Sequence, residues 1–203
     1  GNHGYGIKKK LFETINNDKR LIRPANFIEG QPGSGYGIYL FKDKKVAVMN
    51  LIGNVFMQKS QDLFSYTDKF IKKILLKKHA DFIIVDIHGE VTSEKLALGH
   101  FLDGKVTAVV GTHTHVPTSD YKILEKGTAY QTDLGMCGDY DSVIGMDKIN
   151  SIKKFMKEKS AKNHFPAKGE ATISGVIIDA DDTTGLANSI NQIIVGGILK
   201  KNY

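Results

Sequence analysis

Only one cysteine, Cys137, stands in the 203 residues, so an internal disulfide framework is excluded and a reducing, cytoplasmic setting is expected. No apolar run is long enough to span a bilayer and no signal-peptide pattern is visible, so no membrane partner is expected. Internal repeats, low-complexity tracts and dividing linkers are also missing, and a single domain over residues 1–203 is expected. Basic residues outnumber acidic ones by 28 to 22. The lysines are scattered rather than interleaved with aromatic residues, which argues against a nucleic-acid platform. Their field could still help attract a phosphate-bearing substrate. A hydrophobic content of 41% beside 25% charged residues suits an ordinary globular core.

What is present alternates between two periods. Ile7, Leu11 and Ile15 recur every four residues and predict a short helix ending near Asn16-Asn17. Runs 37–41 and 46–52, either side of Asp43-Lys44-Lys45, predict a hairpin. Leu63, Phe64, Thr67, Phe70, Ile71, Ile74 and Leu75 follow the helical period, with lysines largely on the other side. Runs 82–86 and 106–110 predict buried strands, separated by a helix from a Ser93 cap to Leu102. A hairpin over 122–132, a helix over 146–157 and strands over 172–179 and 187–195 complete the pattern. Helices alternating with strands predict an α/β layered fold.

The candidate chemistry lies in histidines near strand ends. His88 follows one predicted strand; His113 and His115 follow another. Extended backbone at Gly111-Thr112-His113-Thr114-His115 would put both imidazoles on one side, within reach of one metal centre. Neutral imidazole suits iron, manganese, zinc or nickel, and an Asn carbonyl is a plausible harder ligand. Asp86, Glu90 and Glu94 surround His88 and could orient imidazoles, although strand-end and helix-start charges need no such role. Arg23 and Asn26 could touch a phosphate; a Pro-punctuated turn explains them as well. Asp181-Asp182-Thr183-Thr184-Gly185 reads as a plain turn rather than a calcium loop.

Gly1-Asn2-His3, the later His88 and the closing Gly111-Thr112-His113-Thr114-His115 resemble the calcineurin-like metallophosphoesterases. The closer resemblance is to the YmdB-like bacterial phosphodiesterases. It is carried by Arg23-Pro24-Ala25-Asn26-Phe27, residues 92–99, residues 109–116, Gly127-Thr128-Ala129-Tyr130, Asp133-Leu134-Gly135-Met136 and Ser174-Gly175-Val176-Ile177. The resemblance implies a sandwich of layered sheets flanked by helices. It also implies a two-metal hydrolysis of 2′,3′-cyclic or 3′,5′-cyclic nucleotides or other small phosphodiesters.

Carried onto this chain, the resemblance implies that Asn2, His88 and His113 bind one divalent ion and that His115 binds a second. Iron or manganese is expected. His3 would be catalytic, protonating the leaving-group oxygen or stabilising charge on the phosphate. Family members form homo-oligomers, so one is expected here. The family also places an Asp, and a Glu-Asn pair whose Glu bridges the metals, ahead of the Gly-Asn-His motif. Nothing precedes Gly1 here, so the chain is expected to be N-terminally incomplete, lacking the first strands and with a weakened second metal site. A non-catalytic metal- or nucleotide-binding protein that keeps the fold is the alternative.

Overall fold

Phe82-Ile83-Ile84-Val85-Asp86-Ile87-His88 buries every second side chain, and this alternation makes it the centre of the molecule. The computed structural model describes residues 9–199; Asn2 and His3 lie outside the described residues. The elements run α1 (Lys9–Asn17), β1 (Tyr36–Phe41), β2 (Lys44–Ile52), α2 (Leu63–Lys73), β3 (Phe82–His88), α3 (Thr92–Leu102), β4 (Ala108–Thr112), β5 (Lys122–Ile123), β6 (Ala129–Gln131), β7 (Gly138–Asp139), α4 (Lys148–Phe155), β8 (Ala171–Ala180) and β9 (Ala187–Val195).

One sheet has the order β1-β2-β3-β4-β6-β5, with β2, β3, β4 and β6 parallel to their neighbours in that row. Its two edges are the expected antiparallel hairpins, β1–β2 and β5–β6. On one face Met49, Leu51, Ile83, Val85, Ile87 and Val109 meet α2 and α3 in the main core. The helices meet it because their buried residues fall on one stripe. Leu63, Thr67, Phe70 and Ile71 of α2 follow helical spacing, as do Lys95, Leu98, Gly99 and Leu102 of α3. Each fully buried Leu or Ile is worth about 1.5–3 kcal/mol. The other face carries Ala108 and Ala129, whose small side chains let β8 and β9 approach with Ala187, Ile190 and Val176. The second sheet, β7-β8-β9, is antiparallel.

The layered α/β expectation is therefore met: helices, a largely parallel sheet, then a second sheet. Details differ at element ends. Ser93 lies inside α3, whose N-cap is Val91 without a side-chain cap. β4 begins at Ala108 and continues to Thr112, and β7 has no counterpart in the sequence pattern. A two-residue strand has no readable period.

Candidate metal-binding active site

Strand register brings the polar residues together. Asn50 of β2 pairs with Asp86 of β3, and His88 pairs with Thr112 of β4. Residues two apart on a strand share a face, so Asn50, Asp86, His88 and Thr112 all project from one side, at the carboxyl end of the parallel strands. Asn50 Nδ2 donates to Asp86 Oδ2 at 2.7 Å, and Thr112 Oγ1 donates to Asp86 Oδ1 at 2.8 Å. His88 Nδ1 lies 3.0 Å from the same Thr112 oxygen. Thr112 has one hydroxyl proton, and the carboxylate takes it. The hydrogen-bond network thus assigns Nδ1–H of His88 as donor and leaves a lone pair on Nε2.

His113 Nδ1 lies 3.1 Å from His88 Nε2, with the two rings 78° apart. The far side of His113 is also occupied, since Nε2 is 3.2 Å from Glu90 Oε2. With Nε2 turned toward the Glu90 carboxylate, Nδ1 is the His113 nitrogen that faces His88. Two imidazole nitrogens thus approach each other at the strand ends, an arrangement suited to a shared cation. Two imidazole nitrogens at about 2.0–2.1 Å from one ion, at right angles, sit about 3 Å apart, which matches the observed separation. Tying the far ring nitrogen to a hydroxyl or carboxylate is also the usual support of a metal-binding histidine. The pair therefore fits a divalent ion.

Burial, with the positive charge of Lys95 nearby, holds His88 down to about 3. His113 is lowered too, by burial against the opposing pull of Glu90. Both are thus neutral at physiological pH, the form a metal requires. Burial pushes Asp86 above the usual carboxylate range, despite the hydrogen bonds from Thr112 and Asn50.

The expectation of extended backbone through His113 and His115 is corrected here. β4 stops at Thr112, and His113 and His115 have φ of 113° and 67°. Such conformations cost about 1–3 kcal/mol each and need support from their surroundings. The support is a buried ion pair. Lys95 Nζ donates to Thr112 O and to Asp133 Oδ2, each at 2.9 Å. Asp133 Oδ2 also accepts from Thr114 N at 3.0 Å, and its Oδ1 accepts from Gly135 N at 2.9 Å. Burial raises Asp133, but these donors and the Lys95 charge outweigh it and hold the carboxyl below its ordinary value. Gly111 serves the same crossing: a Cβ there would collide with the Thr132 carbonyl. The turn carries His115 to a different partner, Ile144 O, to which Nδ1 donates at 2.8 Å. Its Nε2 is left as the lone-pair atom, beside a cleft of about 330 Å³ lined by Val116, Met136, Tyr140 and Ile144.

The structure thus pairs His88 with His113 and gives His115 its own anchor. Among the described residues, no three His, Cys, Asp or Glu side chains gather as a metal-holding group. Asp86 orients the His88 imidazole through Thr112, and Glu90 pairs with His113 Nε2 at 3.2 Å. Glu94 instead accepts from Asn54 N and Val55 N. Asn26 is spent on Ile52 and Gln61, and Arg23 on the carbonyls of Pro24, Gln31 and Pro32, so both are structural. Sequence reasoning missed Thr112, Asn50 and Lys95. Thr112 stood inside the histidine motif as a spacer, and the partner of Lys95 lies 38 residues downstream.

A family model described as YmdB-like protein matches residues 1–193. A 2′,3′-cyclic-nucleotide 2′-phosphodiesterase of Bacillus subtilis is 46% identical over 195 residues, spanning 96% of this chain and 72% of the relative. The crystal structure of a phosphatase from Mycoplasma pneumoniae matches with a TM-score of 0.85 at 35% identity, over 97% of this chain and 70% of that one. A hypothetical protein from Thermus thermophilus matches with a TM-score of 0.80 at 32% identity, over 93% and 72%.

Proposed function

This chain belongs to the YmdB-like family, hydrolases of the metallophosphoesterase fold, and on that premise we propose that it is a metal-dependent phosphodiesterase acting on cyclic nucleotides. The approach of His88 Nε2 to His113 Nδ1, 3.1 Å apart at the strand ends, carries the metal-dependent part. The B. subtilis relative supports a 2′,3′-cyclic nucleotide as the first substrate to try.

The reading assigns Asn2, His88 and His113 to one divalent ion and His115 to a second, with iron or manganese expected rather than magnesium because histidine is prominent among the donors. When bound, such ions polarise phosphoryl oxygens and lower the pKa of water. The chain's own residues set the conditions. Thr112 and Asp86 hold His88 in the Nδ1–H tautomer, and the Glu90 carboxylate lies 3.2 Å from Nε2 of His113. His3 is assigned to deliver a proton to the leaving-group oxygen, a contribution of about 10²–10⁴-fold. The test is hydrolysis of 2′,3′-cyclic nucleotides by the purified protein. Activity should stop with EDTA, return with Mn²⁺, and fail to return in His88→Ala or His113→Ala. Turnover indifferent to chelator, or surviving both substitutions, would refute the reading.

A further inference from the structure

Helix α4 is inside out. Its buried residues are polar, Asn150 and Ser151, while Ile149, Ile152, Phe155 and Met156 are 63%, 53%, 83% and 66% exposed. The inversion is fixed by hydrogen bonds. Asn150 Nδ2 donates to the Lys162 and Asn163 carbonyls, and its Oδ1 accepts from Lys162 N at 2.7 Å. Asp147 caps the helix by accepting from Asn150 N at 2.8 Å. Rolling the apolar face inward would break this set, so the face is held toward its surroundings.

Charge is concentrated on the same segment. From Lys148 to Lys168 there are seven lysines and one acidic residue, Glu158. The formal excess of the entire chain, +6, equals the excess of this stretch, and the remaining residues balance. Of the seven lysines, only Lys148 forms an ion pair among the described residues, with Asp141. At helical spacing, Lys148 and Lys153 fall on either side of the Ile149–Ile152–Met156 stripe.

We propose that α4 is a docking surface for an anionic lipid bilayer, its apolar stripe entering the headgroup–acyl boundary while the lysines meet lipid phosphates. Charge complementarity selects this occupant. A second copy would bring two basic patches face to face, which like-charge repulsion opposes even with Asp141 and Asp147 beside the helix. A nucleic acid would leave Ile149, Ile152 and Met156 without stacking or hydrogen-bonding partners. An interfacial helix uses both features, with Phe and Ile about 5–10 Å into the boundary and lysines at its flanks. No helix among the described residues can cross a membrane, so the contact is peripheral. The sequence-based expectation of no membrane partner rested on the lack of a span and of a signal peptide, and neither bears on such a contact.

The chain lacks tryptophan, so Phe155→Trp places a lone reporter on the exposed apolar face of α4, next to the stripe. Its emission should shift to the blue when vesicles of phosphatidylcholine with phosphatidylglycerol are added, and stay put with phosphatidylcholine alone. In flotation, the unsubstituted protein should bind the anionic vesicles at ~0.1 M salt and release at ~1 M. Neutralising Lys153 or Lys157 should each weaken binding about fivefold, and Phe155→Ser should weaken it at least about tenfold, with cyclic-nucleotide hydrolysis unchanged. Three outcomes would overturn the proposal. The first is no blue shift with anionic vesicles, or equal binding to neutral ones. The second is a dimer in light scattering that Phe155→Ser dissolves, which would assign the face to a second copy. The third is RNA retention lost in Lys153→Gln without any vesicle binding.

Discussion

Replacing Thr112 by Val isolates what one hydroxyl does for the site. Valine is nearly isosteric and β-branched, so the end of β4 keeps its shape. Two bonds disappear: the 3.0 Å contact that fixes His88 Nδ1–H and the 2.8 Å donation to Asp86. His88 is then able to place its proton on Nε2, the atom that faces His113, and that tautomer cannot bind a metal through Nε2. Asp86, already pushed up by burial, loses a donor and rises further. Losing such outer support costs about 10–100-fold in metal affinity, or about 1.4–2.7 kcal/mol. Isothermal titration with Mn²⁺ measures this directly, and nitrogen chemical shifts of the metal-free protein report the His88 tautomer. The expected result is weaker Mn²⁺ binding together with a mixed tautomer. A variant with a native circular dichroism spectrum, unchanged Mn²⁺ affinity and an unchanged tautomer would refute the relay from Asp86 through Thr112 to His88.

Substituting Lys95 by Met leaves Asp133 buried beneath the histidine turn without its cation, which should destabilise the fold by about 3–5 kcal/mol in urea titration. Lys95→Met/Asp133→Leu should recover part of that loss but not Mn²⁺ affinity, because Thr114 N would still lack its acceptor. Stability of the metal-free protein should fall in mild acid. The folded value of His88 is depressed to about 3, so its contribution is complete above the unfolded value of about 6.5 and is lost as pH falls toward 3. Solvent screening makes about 2 kcal/mol an upper bound for the loss by pH ~5, and His88→Asn should flatten that part of the urea-midpoint profile. Asp133 has the same sign at lower pH: its depressed carboxyl adds stability above about 3.9 that disappears as pH drops through its folded value. Asp86, raised by burial, has the opposite sign and opposes folding as pH rises through its folded value.

Why the sequence revealed the strands and the ligand types but not the supports follows from what periodicity encodes. β3 and β4 were legible because each is a short apolar run, β4 buried on both faces and β3 on one with the other partly covered, and the end of each was marked by a histidine. α2 was legible because its apolar residues share one stripe. Lys95 was illegible for the converse reason. At helical spacing it falls on the buried stripe of α3 with Leu98 and Leu102, yet its partner Asp133 lies 38 residues downstream, and only the fold brings them to 2.9 Å. The direction of the histidine motif was misread for the same cause. Alternation predicts a continued strand at Thr112-His113-Thr114-His115, and nothing local announces a turn between two non-glycine residues at positive φ.

That turn changes what the motif can do. In an extended strand, His113 and His115 would have competed for one centre from the same side. With φ of 113° and 67°, His113 meets His88 while His115 anchors on Ile144 O, so adjacent motif residues address separate places. The division depends on a loop that stores strain, and the strain is sustained by a buried ion pair that itself contacts the loop backbone at Thr112 O and Thr114 N. The separation of the two histidines is thus a property of Lys95 and Asp133 as much as of the histidines. It would collapse toward the extended form if the pair were lost, even with every proposed ligand in place.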